Sequence, residues 1–227
     1  MKILAIDTAT EACSVALSDD DKVIARFELC PQQHSQRLLP MVDEILKDAG
    51  ISLKALDVLA FGRGPGSFTG VRIATGMVQG LAFGANLPVA GISTLAAMAQ
   101  QCFRQTDTKT CACAIDARMG EVYFAIYQQR DNGMAELVSE QVCSPEKAAE
   151  LLGDLSFTPV GTGWQAYPAL QEKLAATTVV DILYPAAEFM LELAENALAN
   201  NSVMAADKVS PVYLRDKVTW KKLPGRE

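Results

Sequence analysis

Apolar and polar positions follow two periods along the chain. Lys2 to Ile6 is an apolar run of strand length, and Cys13 to Leu17 and Val23 to Leu29 alternate as hairpin strands do, with Asp19, Asp20 and Asp21 as the turn. From Ser35 to Ala49 the apolar residues Leu38, Met41, Val42, Ile45, Leu46 and Ala49 recur at the spacing of one helix face, and Gly50 supplies a left-handed cap. Pro40 inside that run removes a backbone donor, which predicts a kink or a later start. Leu56 to Phe61 reads as a strand, Ser67 to Ala85 as a second helix, Pro88 to Ile92 as a strand, and Ser93 as the cap of a third helix.

The second half opens as the first does. Ala5-Ile6-Asp7, a polar turn and the strand at Cys13 are matched by Ala114-Ile115-Asp116, the turn Ala117 to Gly120 and the strand from Val122 to Ile126. Phe61-Gly62-Arg63-Gly64 is echoed by Val160-Gly161-Thr162-Gly163, each closing a strand and opening a helix. Two echoes in the same order predict a duplicated lobe. A repeated strand-strand-strand-helix-strand-helix unit whose first strand ends in aspartate describes an α/β chain of the actin-like (ASKHA) fold, with two lobes, each a mixed sheet flanked by helices, around a cleft. The polar stretch Gln105 to Lys109 is the expected boundary, giving lobes 1–106 and 107–227.

Half of the 227 residues are apolar and 21% are charged, the balance of a water-soluble globular protein. The longest apolar stretch, Val71 to Leu87, is broken by Arg72, Gln79 and three glycines, so no membrane span is expected. A carboxylate at the seventh residue interrupts any signal sequence, which predicts a cytoplasmic protein. The cysteines at 13, 30, 102, 111, 113 and 143 lack zinc-finger spacing and read as reduced core thiols, with no metal expected. The net charge of −7 makes a poor stand-alone nucleic-acid binder, although the segment from Lys208 onward carries +4.

Two turns carry candidate chemistry. Asp7-Thr8-Ala9-Thr10 offers a carboxylate and two hydroxyls, either to hold hydrated Mg²⁺ and phosphate or to bond the backbone of its own turn. In Gly62 to Gly70, residues Gly64, Gly66 and Ser67 lie between a strand and a helix, where free N–H groups favour anions. The run has no Walker lysine and no GxSxG elbow, so it reads as a positioned loop rather than a nucleophile. His34 and Ser35 read as a helix entrance. Asp116 and Arg118 either pair with each other or serve the cleft. Phe68, Val71, Ile73, Met77, Leu81 and Phe83 spread around most of the second helix, and Gly76, Gly80 and Gly84 form a smooth seam. Burial within the chain or a helix-to-helix contact with another chain would account for that surface.

Ile6 to Thr10, GRGPGSFTGVRI from Gly62 to Ile73, DARMGEVY from Asp116 to Tyr123, VGTGW from Val160 to Trp164 and PVYLR from Pro211 to Arg215 closely resemble the TsaB (YeaZ) family over essentially the whole chain. The resemblance implies a cytoplasmic, non-catalytic subunit for synthesis of threonylcarbamoyladenosine beside the anticodon of tRNAs reading codons that begin with adenine. It implies binding and stabilising of the catalytic paralogue TsaD, help in recruiting the ATPase TsaE, a homodimer when alone, and tRNA reached indirectly through the complex. The paralogue's two metal-binding histidines fall on Thr94 and Met98 here. No cofactor of its own is implied, and ATP or ADP with Mg²⁺ belongs to the complex, with Asp7, Thr8, Thr10, Gly64, Gly66 and Ser67 as vestigial phosphate loops. The expected partner contacts are His34, Leu38, Leu39, Val42, Leu46, Met77, Leu81 and Phe83. Rival readings are an actin-like ATP-dependent kinase or nucleotidase using the Asp7 turn, and a peptidase, which the missing elbow and metal ligands oppose.

Overall fold

The computed structural model describes residues 1–20, 22–174, 177 and 180–215. Two mixed sheets form the frame. The first has the order β3-β2-β1-β4-β5, from β1 (Lys2–Asp7), β2 (Ala12–Asp19), β3 (Lys22–Leu29), β4 (Val58–Gly62) and β5 (Val89–Ile92). β1 runs antiparallel to β2 and parallel to β4, as tight turns and helical crossovers respectively require. The second sheet, β8-β7-β6-β9, repeats that plan with β6 (Thr110–Asp116), β7 (Val122–Gln129), β8 (Ala135–Cys143) and β9 (Thr158–Val160). β6 is antiparallel to β7 and parallel to β9, so Asp7 and Asp116 close equivalent strands. This duplicated plan is the actin-like fold. No fifth strand joins the second sheet among the described residues, where Ile182 accepts a backbone hydrogen bond from Gly161 beyond β9.

The helices follow the apolar periods. α1 (His34–Ala49) buries Leu38, Met41, Val42 and Ile45 and ends at Gly50, whose φ is +67°. It continues through Pro40 without the later start that proline suggested, and the carbonyl left without a helical donor belongs to Gln36 on an exposed turn. α2 (Phe68–Ala85) is capped by Ser67, whose hydroxyl accepts from the Gly70 N–H, and α3 (Thr94–Gln105) is capped likewise by Ser93. The remaining helices are α4 (Pro145–Leu152), α5 (Gly163–Ala166), α6 (Pro168–Leu174) and α7 (Leu191–Ala199).

The helices exchange between lobes. α3 packs Leu95, Met98 and Phe103 against Cys111, Cys113 and Tyr127 of the second sheet. Reciprocally, Met190, Leu191 and Ala194 pack on Ile3, Ala5, Val58 and Ala90 of the first. A cut between 106 and 107 therefore separates the sheets but divides both cores. All six cysteines are unbonded, and the Sγ atoms of Cys111 and Cys113 lie 3.8 Å apart on one strand face. No helix among the described residues is long and apolar enough to cross a membrane.

Leu38 is completely buried between α1 and the first sheet, whereas Leu39 on the next position is exposed. Leu38→Ala is expected to lower unfolding free energy by roughly 2–5 kcal/mol through the cavity it leaves, and Leu39→Ala by no more than about 0.5. Urea denaturation of the two variants measures the difference.

Candidate functional site

The loops that follow β1 and β4 and the end of β6 line a cavity of about 940 Å³ between the lobes. Its first-lobe wall is made by Thr10 and Glu11 of the β1–β2 turn, His34 at the start of α1, and Gly66, Ser67 and Phe68 at the start of α2. Asp116, Arg118 and Tyr123 face them from the second lobe, and Val212 to Arg215 line one side.

The glycine loop lies directly on the Asp7 turn. The Ser67 N–H donates to the Ala9 carbonyl at 2.7 Å, and the Thr8 hydroxyl donates to the Gly70 carbonyl at 2.7 Å. A Cβ at Gly66 would stand 2.3 Å from the Ala9 oxygen, and one at Gly70 would stand 2.0 Å from the Thr8 oxygen. Only glycine permits those approaches, which explains the sequence of the loop better than phosphate binding does. Gly64 instead adopts φ +99° and packs beneath the Val212 carbonyl.

Asp7 is turned inward. Its Oδ1 accepts from the Ala9 N–H at 2.9 Å, its Oδ2 has no partner, and complete burial pushes its carboxyl up to about 7. Thr8 is fully buried, and the Thr10 oxygen accepts from the Ala12 N–H. Of the six residues expected to cradle phosphate, only Thr10, Gly66 and Ser67 line the cavity. A Mg²⁺-nucleotide held by Asp7, Thr8 and Thr10 does not fit this arrangement, because the carboxylate is buried away from the cavity, the Thr8 hydroxyl is bonded to the Gly70 carbonyl, and the Thr10 oxygen accepts from the Ala12 N–H.

Across the cleft the Asp116 Oδ1 accepts from the Arg118 N–H at 2.9 Å and from the Tyr167 hydroxyl at 2.8 Å. The Arg118 guanidinium pairs with Asp116 and reaches Glu11 of the first lobe at 3.5 Å, so the pair is a salt bridge that lines the cleft. Burial and the bond to Asp116 push the Tyr167 hydroxyl up to about 12. His34 is buried with its Nε2 unpartnered, and Ser67 Oγ accepts from Gly70, so the two side chains make no nucleophile–base pair. Thr94 and Met98 are both completely buried.

Leu38 and Val42 lie in the protein's own core, which corrects their assignment as partner contacts: the periodicity that marks an apolar face does not say which part of it the sheet already covers. His34 is likewise buried, at the cleft rather than on an outer face. Leu39 is exposed, Leu46, Met77 and Leu81 are half-buried, and Phe83 is 81% exposed. Gly76, Gly80 and Gly84 have no neighbour within 4 Å of a built Cβ, so the glycine seam of α2 faces outward. Sequence reasoning missed a cation–aromatic cluster at the cleft mouth, where the Arg72 guanidinium sits 3.2 Å from the Phe68 ring centroid and 4.9 Å from that of Tyr213. Its signal was Phe68 and Arg72 one helical turn apart; the distant Tyr213 carried none.

The tRNA threonylcarbamoyladenosine biosynthesis protein TsaB of Escherichia coli (strain K12) is 53% identical over the full length of both chains. This chain belongs to the TsaB (YeaZ) family. The Haemophilus influenzae protein of the same name is 49% identical, covering 100% of this chain and 99% of its own. The crystallised YeaZ from Pseudomonas aeruginosa superposes with a TM-score of 0.84 at 44% identity, covering 94% of this chain and 99% of that one. The family profile described as TsaD, tRNA N6-adenosine threonylcarbamoyltransferase, matches residues 26–223.

The buried Asp7 of this family member makes stability depend on pH. Between its unfolded value near 4 and its folded value of about 7 the native state holds the proton more tightly, so stability falls as pH rises through that window and stays low above it. Asp7→Asn is expected to stabilise the protein at pH 8 by up to about 4 kcal/mol relative to wild type, with the gap closing by about pH 4. Denaturation of both proteins across that range tests the shift.

Proposed function

We propose that this chain is a non-catalytic subunit of the machinery that makes threonylcarbamoyladenosine in tRNA, binding and stabilising the catalytic paralogue TsaD and helping to recruit the ATPase TsaE. The observation that carries the reading is the full-length kinship with proteins named for this pathway. The site supports the non-catalytic part: the Asp7 carboxylate is buried and accepts from the Ala9 N–H, the Thr8 hydroxyl is bonded to the Gly70 carbonyl, and Ser67 is a helix cap. The same contacts weigh against the kinase or nucleotidase alternative. The protein works in the cytoplasm, and tRNA is reached through the complex; Lys217, Lys221, Lys222 and Arg226 of the basic tail lie outside the described residues.

The partner surface in this reading is the outward face of α2 with the adjoining part of α1. Phe83, Met77 and Leu81 present apolar surface beside a glycine seam that lets another helix approach closely. The same face serves the homodimer when the chain is alone.

Depletion of the chain in cells is expected to remove threonylcarbamoyladenosine from tRNA, and restored expression to return it, as read by nucleoside mass spectrometry; unchanged modification would sink the assignment. Met77→Ala with Leu81→Ala is expected to weaken association with TsaD by at least about tenfold without loss of folding, the size of a pair of moderate hot spots. Calorimetric titration of the purified subunits checks it, and unchanged affinity would remove α2 from the interface.

A further inference from the structure

The segment Pro211–Arg215 runs along the side of the cleft and touches both lobes. On the first lobe the Val212 N–H donates to the Arg63 carbonyl at 2.8 Å, and the Tyr213 ring lies 5.9 Å from that of Phe68, the first residue of α2. On the second lobe two N–H groups of Arg215 converge on Glu121 Oε2, at 2.9 Å from Nε and 2.5 Å from Nη2. Arg215 also donates to the Arg118 carbonyl at 3.3 Å. Its side chain is only 16% exposed, the least of any cation in the ion pairs among the described residues. The ion pair that itself crosses the cleft, Arg118 to Glu11, is longer at 3.5 Å, and its arginine is 75% exposed.

The second-lobe anchor is unusual. Arg118, Met119 and Gly120 have φ of +62°, +58° and +79°, so two side chains bearing a Cβ hold the left-handed region in succession. Such backbone persists where the surroundings over-determine it, and here the Arg215 guanidinium binds the carbonyl of Arg118 and the carboxylate of Glu121 on either side of the turn. The first-lobe anchor is the loop that opens α2, with Gly64 beneath the Val212 carbonyl.

We propose that Pro211–Arg215 is an interlobe clasp, which fixes the width of the cleft and ties the seating of α2 to the position of the β6–β7 turn through the Arg215–Glu121 contact. A screened surface ion pair holds little, but a largely desolvated arginine bonding both a carboxylate and a carbonyl resists parting. Movement of the second-lobe turn then pulls on the start of α2 through five residues of backbone. The inference stands on geometry and does not depend on the identity of the partner or of the pathway.

Native-state amide exchange by NMR on the full chain tests it, comparing wild type, Glu121→Gln and Glu121→Gln with Arg215→Ala. The substitution is in the second lobe and the clasp is read in the first: Glu121→Gln is expected to speed exchange of the Val212 and Val71 amides by about tenfold or more, with amides in β1 and β7 unchanged. Adding Arg215→Ala is expected to speed the same two amides further, because it also removes the bond to the Arg118 carbonyl and the hydrogen bond that the substituted amide at 121 still accepts. Acceleration confined to residues 117–121, acceleration uniform over the chain, or none at all would each overturn the clasp.

Discussion

The close seating of the Gly62–Gly70 loop on the Asp7–Thr10 turn is the contact on which the other features rest. Ser67 and Thr8 bond across it in opposite directions, and the missing side chains of Gly66 and Gly70 let the two backbones meet. That contact places the start of α2 at the cleft, withdraws Asp7 and Thr8 from it, and fixes the direction in which α2 leaves the sheet. A single backbone fit thereby mounts the helix on the turn.

The mounted helix divides its circumference between two tasks. Ala74, Val78 and Ala82 pack on the first sheet, while Gly76, Gly80, Phe83 and Gly84 face outward. An outward face of glycine and phenylalanine adds little to the stability of the single chain, since a mid-helix glycine lowers helix stability by about 0.5–1 kcal/mol relative to alanine. Close approach by another helix gives that composition a physical reason, which is why the partner surface is placed there.

The exchange of helices between lobes makes the cleft a property of the whole chain. α3 leaves the first sheet to pack on the second, and α7 returns to cover the first, so one face of each sheet is closed by residues from the other half.

Local pattern determined the strands ending at Asp7 and Asp116, the helices starting near Ser35, Ser67 and Ser93, and the duplication, because each follows from side-chain period, capping chemistry or a glycine within a few residues. The motif strings alone were enough to point to the family. Tertiary structure decided what those residues do. The sequence shows the Asp7 carboxylate but not that burial leaves one oxygen without a partner, and it shows an apolar face on α1 but not that the sheet claims Leu38 and Val42 while leaving Leu39 free. The Arg215–Glu121 contact joins residues far apart in the chain, with no local period to announce it. Burial and long-range pairing depend on how distant segments meet, and that is settled only when the chain closes on itself.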